Sequence, residues 1–242
     1  MKKVIINQYR FLGDIIFIEP IFRYFHNKGH QVIVPVDTEY LWLQQYIPYV
    51  QFIDKATFPY NYEGVEQAND GNIHLPLRFA HPLYRGYDDL HYGDDRKNWM
   101  RDKYLYLGFD EYFWRTIQWE RNRINEEMLF ILKCRAGKIT GPYNLINQHF
   151  GGTHEKVEII PDNDLPNVYM SKVDDFTLLD WAMVIEQAAN IYVVDSSIVW
   201  LIEVLKTKAE QIHIYPRMPF LPNVDHLNGY LTKNWIRHDE TS

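Results

Sequence analysis

Apolar positions along the chain fall into short runs separated by polar breaks, and the runs alternate between two periods. Val4-Ile5-Ile6-Asn7 is a β-branched run with the pattern of a strand buried on both faces. Tyr9 to Asp14 reads as a loop, after which Ile18, Ile21, Phe22 and Phe25 recur at helical spacing. Pro20 falls inside that helix and should bend it or loosen its first turns. Asn27-Lys28-Gly29-His30 stops it, with Gly29 as the left-handed cap. Gln31 to Val36 predicts a second strand, Asp37-Thr38 a cap for a short helix closed before Pro48, and Val50 to Ile53 a third strand. The order β-α-β-α-β is the half-unit of a doubly wound sheet.

From Thr57 to Lys97 the periodicity fails. His74, His81, His91, Arg78 and Arg85 stand there among tyrosines and turn residues, which predicts long loops with one further strand at Asn72 to Leu75. A loop-rich insertion of that length is usually functional or mobile. Its histidines lack helical metal-ligand spacing and a cysteine partner, so they read as surface histidines rather than a zinc site. Asn98 to Leu107 predicts a helix ended at Gly108, and Ile124, Met128, Ile131 and Leu132 mark a second helix face.

The run Ala136 to Pro142 is small, polar and rich in breakers, which predicts a linker and two domains, 1–138 and 139–242. Strand–helix alternation then restarts. Tyr143 to His149 is a strand leading into Gly151-Gly152-Thr153, and Val168 to Lys172 is another. Thr177 caps a helix, with Asp180 three positions on imitating a capping box, and Leu178, Ala182, Ile185 and Ala189 share a face. Ile191 to Val194 is a fully buried strand, broken by Asp195-Ser196-Ser197. Ile198, Leu201, Ile202 and Leu205 then give one apolar helix face. Gln211 to Tyr215 is the last strand, and Asn234-Trp235-Ile236 is expected to pack back on the first domain.

A chain of 242 residues could form one large domain or two of modest size, and either is long enough to bury a core. The net charge of −7 argues against nonspecific binding to nucleic acid or an anionic membrane, while leaving room for a local basic pocket. Cys134 is the single cysteine, which rules out an internal disulfide and a thiolate metal cluster. No apolar run has the length of a membrane-spanning helix, and the N-terminus lacks a signal peptide's pattern, so a cytoplasmic location is expected. The aromatic share of 16% suits sugar-binding or interface surfaces as well as core packing.

Two strand–loop–helix corners carry the candidate chemistry. Gly13-Asp14 puts a carboxylate at a helix start; Asp195-Ser196-Ser197 offers backbone donors at another, where phosphate is attracted. Either could equally be an ordinary capped corner. Neither matches the three-glycine dinucleotide fingerprint or a phosphate loop ending in Gly-Lys-Ser/Thr, which disfavours nicotinamide dehydrogenases and P-loop NTPases.

The stretch VIINQYRFLGDIIFIEPIFRYF resembles the opening of the heptosyltransferases of glycosyltransferase family 9, with its Gly-Asp loop and proline-bearing helix. FTLLDWAMVIEQAANIYVVDSSIVWLIEVL resembles that family's later block: helix, buried strand, Asp-Ser or Asp-Thr, helix. The chain departs from the pattern at Trp200, where a histidine is usual, and at Ser197, where a glycine is. It also leaves little room between Lys156 and Val168 for the customary helix.

The resemblance implies a GT-B-like α/β fold, two Rossmann-like halves whose parallel sheets face a central cleft. The N-terminal half would take the acceptor, the C-terminal half the nucleotide sugar. It further implies transfer of a sugar from a nucleotide diphosphate sugar to the hydroxyl of a glycan or other acceptor, with no metal and no cofactor. Asp14, beside Gly13, would be the general base that takes the hydroxyl proton. Ser196 and Ser197 after Asp195, with Lys156 or Arg10, would stabilise the departing diphosphate, and Gly151-Gly152-Thr153 would form the loop leading to Lys156. The aromatic segment 57–97 would form the acceptor side. The competing readings are an epimerase-like enzyme acting on the donor sugar, and a non-enzymatic protein that kept the fold and binds without turnover.

Overall fold

Val4, Ile5 and Ile6 are buried on both faces and form, with Lys3, the central strand β1 (Lys3–Ile6). In a computed structural model of the chain, the described residues are 2–8, 11–58, 71–77, 99–150, 156–217 and 224–238. The chain divides into two units, Met1–Glu120 and Arg121–Ser242, and each has its own sheet.

In the first unit β1 is followed by α1 (Leu12–Phe17), α2 (Glu19–Asn27), β2 (Gln31–Val36), a 3-10 helix (Thr38–Gln45) and β3 (Val50–Asp54). The short β4 (Ile73–Leu75) closes a parallel sheet of order β3-β2-β1-β4. Pro20 acts as expected, with an exact location: the helix breaks at Ile18 and restarts as α2, with Pro20 in its first turn. Proline has no N–H to continue the ladder, and the first turn is where that loss is harmless. Gly29 ends α2 at φ 80°, a conformation open to glycine at little cost. Glu19, 1% exposed, accepts from Arg23 Nε at 2.9 Å, the Gln118 N–H at 2.8 Å and the Tyr49 hydroxyl, joining α2 to two loops. The helix α3 (Trp99–Tyr106) packs Tyr104 edge-on to Phe17, centroids 5.3 Å apart, and the Tyr104 hydroxyl donates to the Phe17 carbonyl.

The second unit contains α4 (Arg123–Phe130), a π-helical turn (Ile131–Arg135), β5 (Asn144–Asn147), β6 (Asn167–Tyr169), α5 (Ala182–Gln187), β7 (Asn190–Val194), α6 (Ile198–Val204), β8 (Gln211–Tyr215) and β9 (Trp235–Arg237). All five strands are parallel, in the order β6-β5-β7-β8-β9. Thr177 and Asp180 make the expected capping contact, Asp180 Oδ2 accepting from the Thr177 N–H at 2.8 Å.

Three expectations are corrected. The units separate after Glu120 rather than at 138/139, because Arg121 pairs with Glu126 on α4 and with Glu186 on α5, at 2.5 and 2.6 Å, so α4 belongs to the second unit. The same pairing turns Glu126 inward with Leu129 and Cys134. Ile124, Met128, Ile131 and Leu132, the face read as buried, are 40–73% exposed. A charge buried against two partners overrode the hydrophobic period. Finally, Trp235 and Ile236, expected to pack back on the first domain, instead extend the second sheet as β9, pairing with Ile212 and His213. Glu203 of α6 fixes that return by accepting from the Thr232 N–H at 3.0 Å and from the Trp235 indole N–H.

Candidate active site

In the first unit, the chain leaving β1 passes through Gln8 and enters α1 at Phe11, whose φ of 61° is rare for a bulky residue. The backbone N–H groups of Asp14 and Ile15 both donate to the Phe11 carbonyl, at 3.0 and 3.3 Å, closing the first turn. Asp14 is therefore the third residue of α1 and not its cap, which corrects the simpler structural reading of that position. Asp14 is 6% exposed. Gln8 Nε2 donates to Asp14 Oδ2 at 3.2 Å, and Lys103 Nζ of α3 stands 3.8 Å from the same oxygen. Lys103 in turn donates to Gln8 Oε1 at 2.7 Å, so the three side chains form a closed ring. Burial pushes the Lys103 ammonium below its ordinary range, and the Asp14 carboxylate opposes that.

A carboxylate in this setting can accept a proton from a substrate hydroxyl while remaining oriented by neutral and cationic partners. Sequence reading named Asp14 and Gly13 but not Gln8 or Lys103. A signal existed for Lys103: it occupies the i+3 position of the face formed by Met100, Tyr104 and Leu107, where an apolar residue is expected.

In the second unit, β7 delivers Asp195, 3% exposed, to the sheet edge, and Ser196 and Ser197 turn the chain into α6. Ser197 precedes the helix with φ −54° and makes no side-chain cap bond. Arg217, two residues beyond β8, holds both faces of Asp195: Nε lies 2.9 Å from Oδ2 and 2.7 Å from the main-chain oxygen. Asn147, at the end of β5, donates through Nδ2 to Ser196 Oγ at 3.1 Å and to the His149 carbonyl at 3.2 Å. His149 forms an antiparallel bridge with Lys156, whose side chain is exposed. Asn147 thus connects the serine corner to the root of the loop that carries Lys156. At seven residues α6 has a small dipole, so the helix start by itself offers an anion little. Arg10, Gly151, Gly152 and Thr153 lie outside the described residues, as does most of 57–97.

Trp200 is 7% exposed and packs edge-on to Tyr230, centroids 5.7 Å apart, so it serves the core of the second unit. Among the described residues, the β5–β6 connection contains no helix. No described helix is long and apolar enough to cross a membrane.

No protein-family model matches the chain, and no curated protein matches it either. Solved structures do. A family 9 glycosyl transferase from Veillonella parvula matches over 100% of this chain and 88% of its own, at 12% identity and a TM-score of 0.55. The E. coli heptosyltransferase WaaC with ADP-2-deoxy-2-fluoro heptose matches over 98% and 92%, at 12% identity and a TM-score of 0.48. The iron-containing dodecameric glycosyltransferase TibC of enterotoxigenic E. coli matches over 89% of this chain and 59% of its own, at 13% identity and a TM-score of 0.48. With two separate parallel sheets flanked by helices, the chain has the α/β, GT-B-like fold of the family 9 glycosyltransferases.

Proposed function

We propose that the chain is a glycosyltransferase that moves a sugar from a nucleotide diphosphate sugar to an acceptor hydroxyl, with Asp14 as general base. The observation that carries this reading is a buried carboxylate in the first turn after β1, in a chain with this fold. An acceptor hydroxyl is a weak nucleophile until its proton is removed. Asp14 takes that proton as the acceptor oxygen bonds to the sugar's anomeric carbon. The bond from that carbon to the diphosphate breaks, and its electron pair leaves with the nucleoside diphosphate. The donor's diphosphate is assigned to the Ser196–Ser197 corner, where Arg217 and Lys156 supply positive charge to the leaving group.

A thermal-shift screen against nucleotides and nucleotide sugars, ADP-heptose included, tests this reading, since specific binding raises the melting temperature. Stabilisation by one nucleotide series, followed by transfer to an acceptor, is the expected result. Absence of stabilisation by any nucleotide at saturating concentration would overturn it. That outcome would support the second reading, a binding protein without turnover, which the buried Trp200 and the absence of a helix among the described residues of the β5–β6 connection favour.

A further inference from the structure

A buried base needs something to set its orientation and its charge, and both are supplied from outside α1. We propose that Gln8 and Lys103 are positioning residues for Asp14, Gln8 orienting the carboxylate and Lys103 keeping it ionised so that it can accept the hydroxyl proton. The inference rests on the reading of Asp14 as the general base. Its support is geometric: Lys103 Nζ and Gln8 Nε2 converge on one oxygen, Asp14 Oδ2, at 3.8 and 3.2 Å. The Gln8–Lys103 bond at 2.7 Å prevents either from swinging away alone.

All three residues are buried: Lys103 and Gln8 are 1% exposed and Asp14 6%. Water therefore screens the pair little, and a cation beside a carboxylate favours its charged form. Among the described residues, a charged group against Asp14 comes from α3, Lys103; on the 38–45 helix, Tyr40 bonds the Leu12 backbone near Glu39. A lysine in the middle of an otherwise apolar helix face is costly to bury, and pairing with Asp14 offsets that cost. Gln8 is neutral and can donate and accept at once, which is what a bridge between an anion and a cation requires.

The test is a carbon-detected NMR titration of the Asp14 carboxyl in the full chain, which needs no substrate. Replacing Lys103→Met removes the cation with little change of volume and is expected to raise the Asp14 midpoint by about 1–3 pH units. An unmoved midpoint in a folded Lys103→Met variant would overturn the proposal. If that variant does not fold, Gln8→Leu decides: it removes one bond to Oδ2, so a midpoint unchanged from wild type overturns the proposal and a raised one supports it. The acid limb of the transfer rate should follow the same shift, whereas a purely packing role would lower the rate evenly at all pH values. The two readings can fail separately. A moved midpoint with a fully active Asp14→Asn leaves the ring intact but removes Asp14 as base. An inactive Asp14→Asn with an unmoved Lys103→Met midpoint removes only the positioning role.

Discussion

His213 Nδ1 and His238 Nε2 share a hydrogen bond of 2.8 Å, between β8 and the residue that follows β9. One ring must donate and the other accept, so the bond requires that at most one of the two be protonated. The rings are stacked, centroids 5.1 Å apart, with Tyr192 on the other side of His213 at 4.3 Å. Burial lowers the proton affinity of His213, the neighbouring His238 lowers it further, and Asp162 opposes both.

A group whose folded-state pKa is depressed contributes stability above its unfolded value, near 6.5 for histidine, and loses it as pH falls through the folded value. The urea midpoint of the second unit is therefore expected to drop as pH is lowered from about 7 to about 5, in the range where histidine titrates. His213→Phe keeps the stacking and removes the titration, so it should flatten that drop. An equal drop in the variant would assign the pH dependence to other groups.

Asp14→Asn should act on both rate and stability. Asn cannot take the hydroxyl proton, so transfer falls by roughly 10²–10⁴-fold, the usual worth of a general base. Because Asp14 is not a helix cap, Asn's equal capping ability does not protect the fold, and Lys103 loses its buried counter-charge. A loss of about 1–3 kcal/mol is expected, the cost of an unsatisfied buried polar group. The double variant with Lys103→Met should recover part of it. Denaturant midpoints of the single and double variants check the coupling, and a single variant as stable as wild type would argue against a charged pair.

Ser197→Pro probes the serine corner. The φ of −54° at Ser197 already lies in proline's range, so the variant should fold. It removes one backbone donor before α6, and nucleotide affinity should weaken by about 1–3 kcal/mol if a phosphate accepts from it. Calorimetry with the nucleotide found by thermal shift measures this, and unchanged affinity would place the diphosphate elsewhere.

Phe11→Gly should be tolerated or stabilising. The φ of 61° and ψ of 109° are outside the ordinary regions for an L residue, a strain of about 1–3 kcal/mol, and the ring is 60% exposed. Glycine removes that strain at an entropic cost of roughly 0.5–1 kcal/mol. A destabilised glycine variant would mean that the phenyl ring makes contacts worth more than the strain. If the variant is stable but loses transfer, the ring belongs to the acceptor side.

The sequence by itself determined the elements that local chemistry dictates. Runs such as Val4 to Ile6 and Ile191 to Val194 have nowhere to go but the middle of a sheet, and both are buried strands. Gly29, Pro20 and the Thr177–Asp180 pair act through backbone geometry within a few residues, so their effects were legible without a fold. The resemblance to family 9 rested on two such strand–helix blocks, and the fold agrees with it. What only the tertiary structure decided are charges meeting across long stretches of chain. Lys103 reaches Asp14 and Gln8 from α3, Arg217 reaches Asp195 from beyond the next strand, and Arg121 reaches Glu186 from the start of α4. Hydrophobic period cannot anticipate these contacts, because a buried ion pair is stabilised by its partner and not by the apolar face it interrupts. Arg121, Glu126 and Glu186 thereby turned α4 away from its apparent apolar face and moved the boundary between the two units.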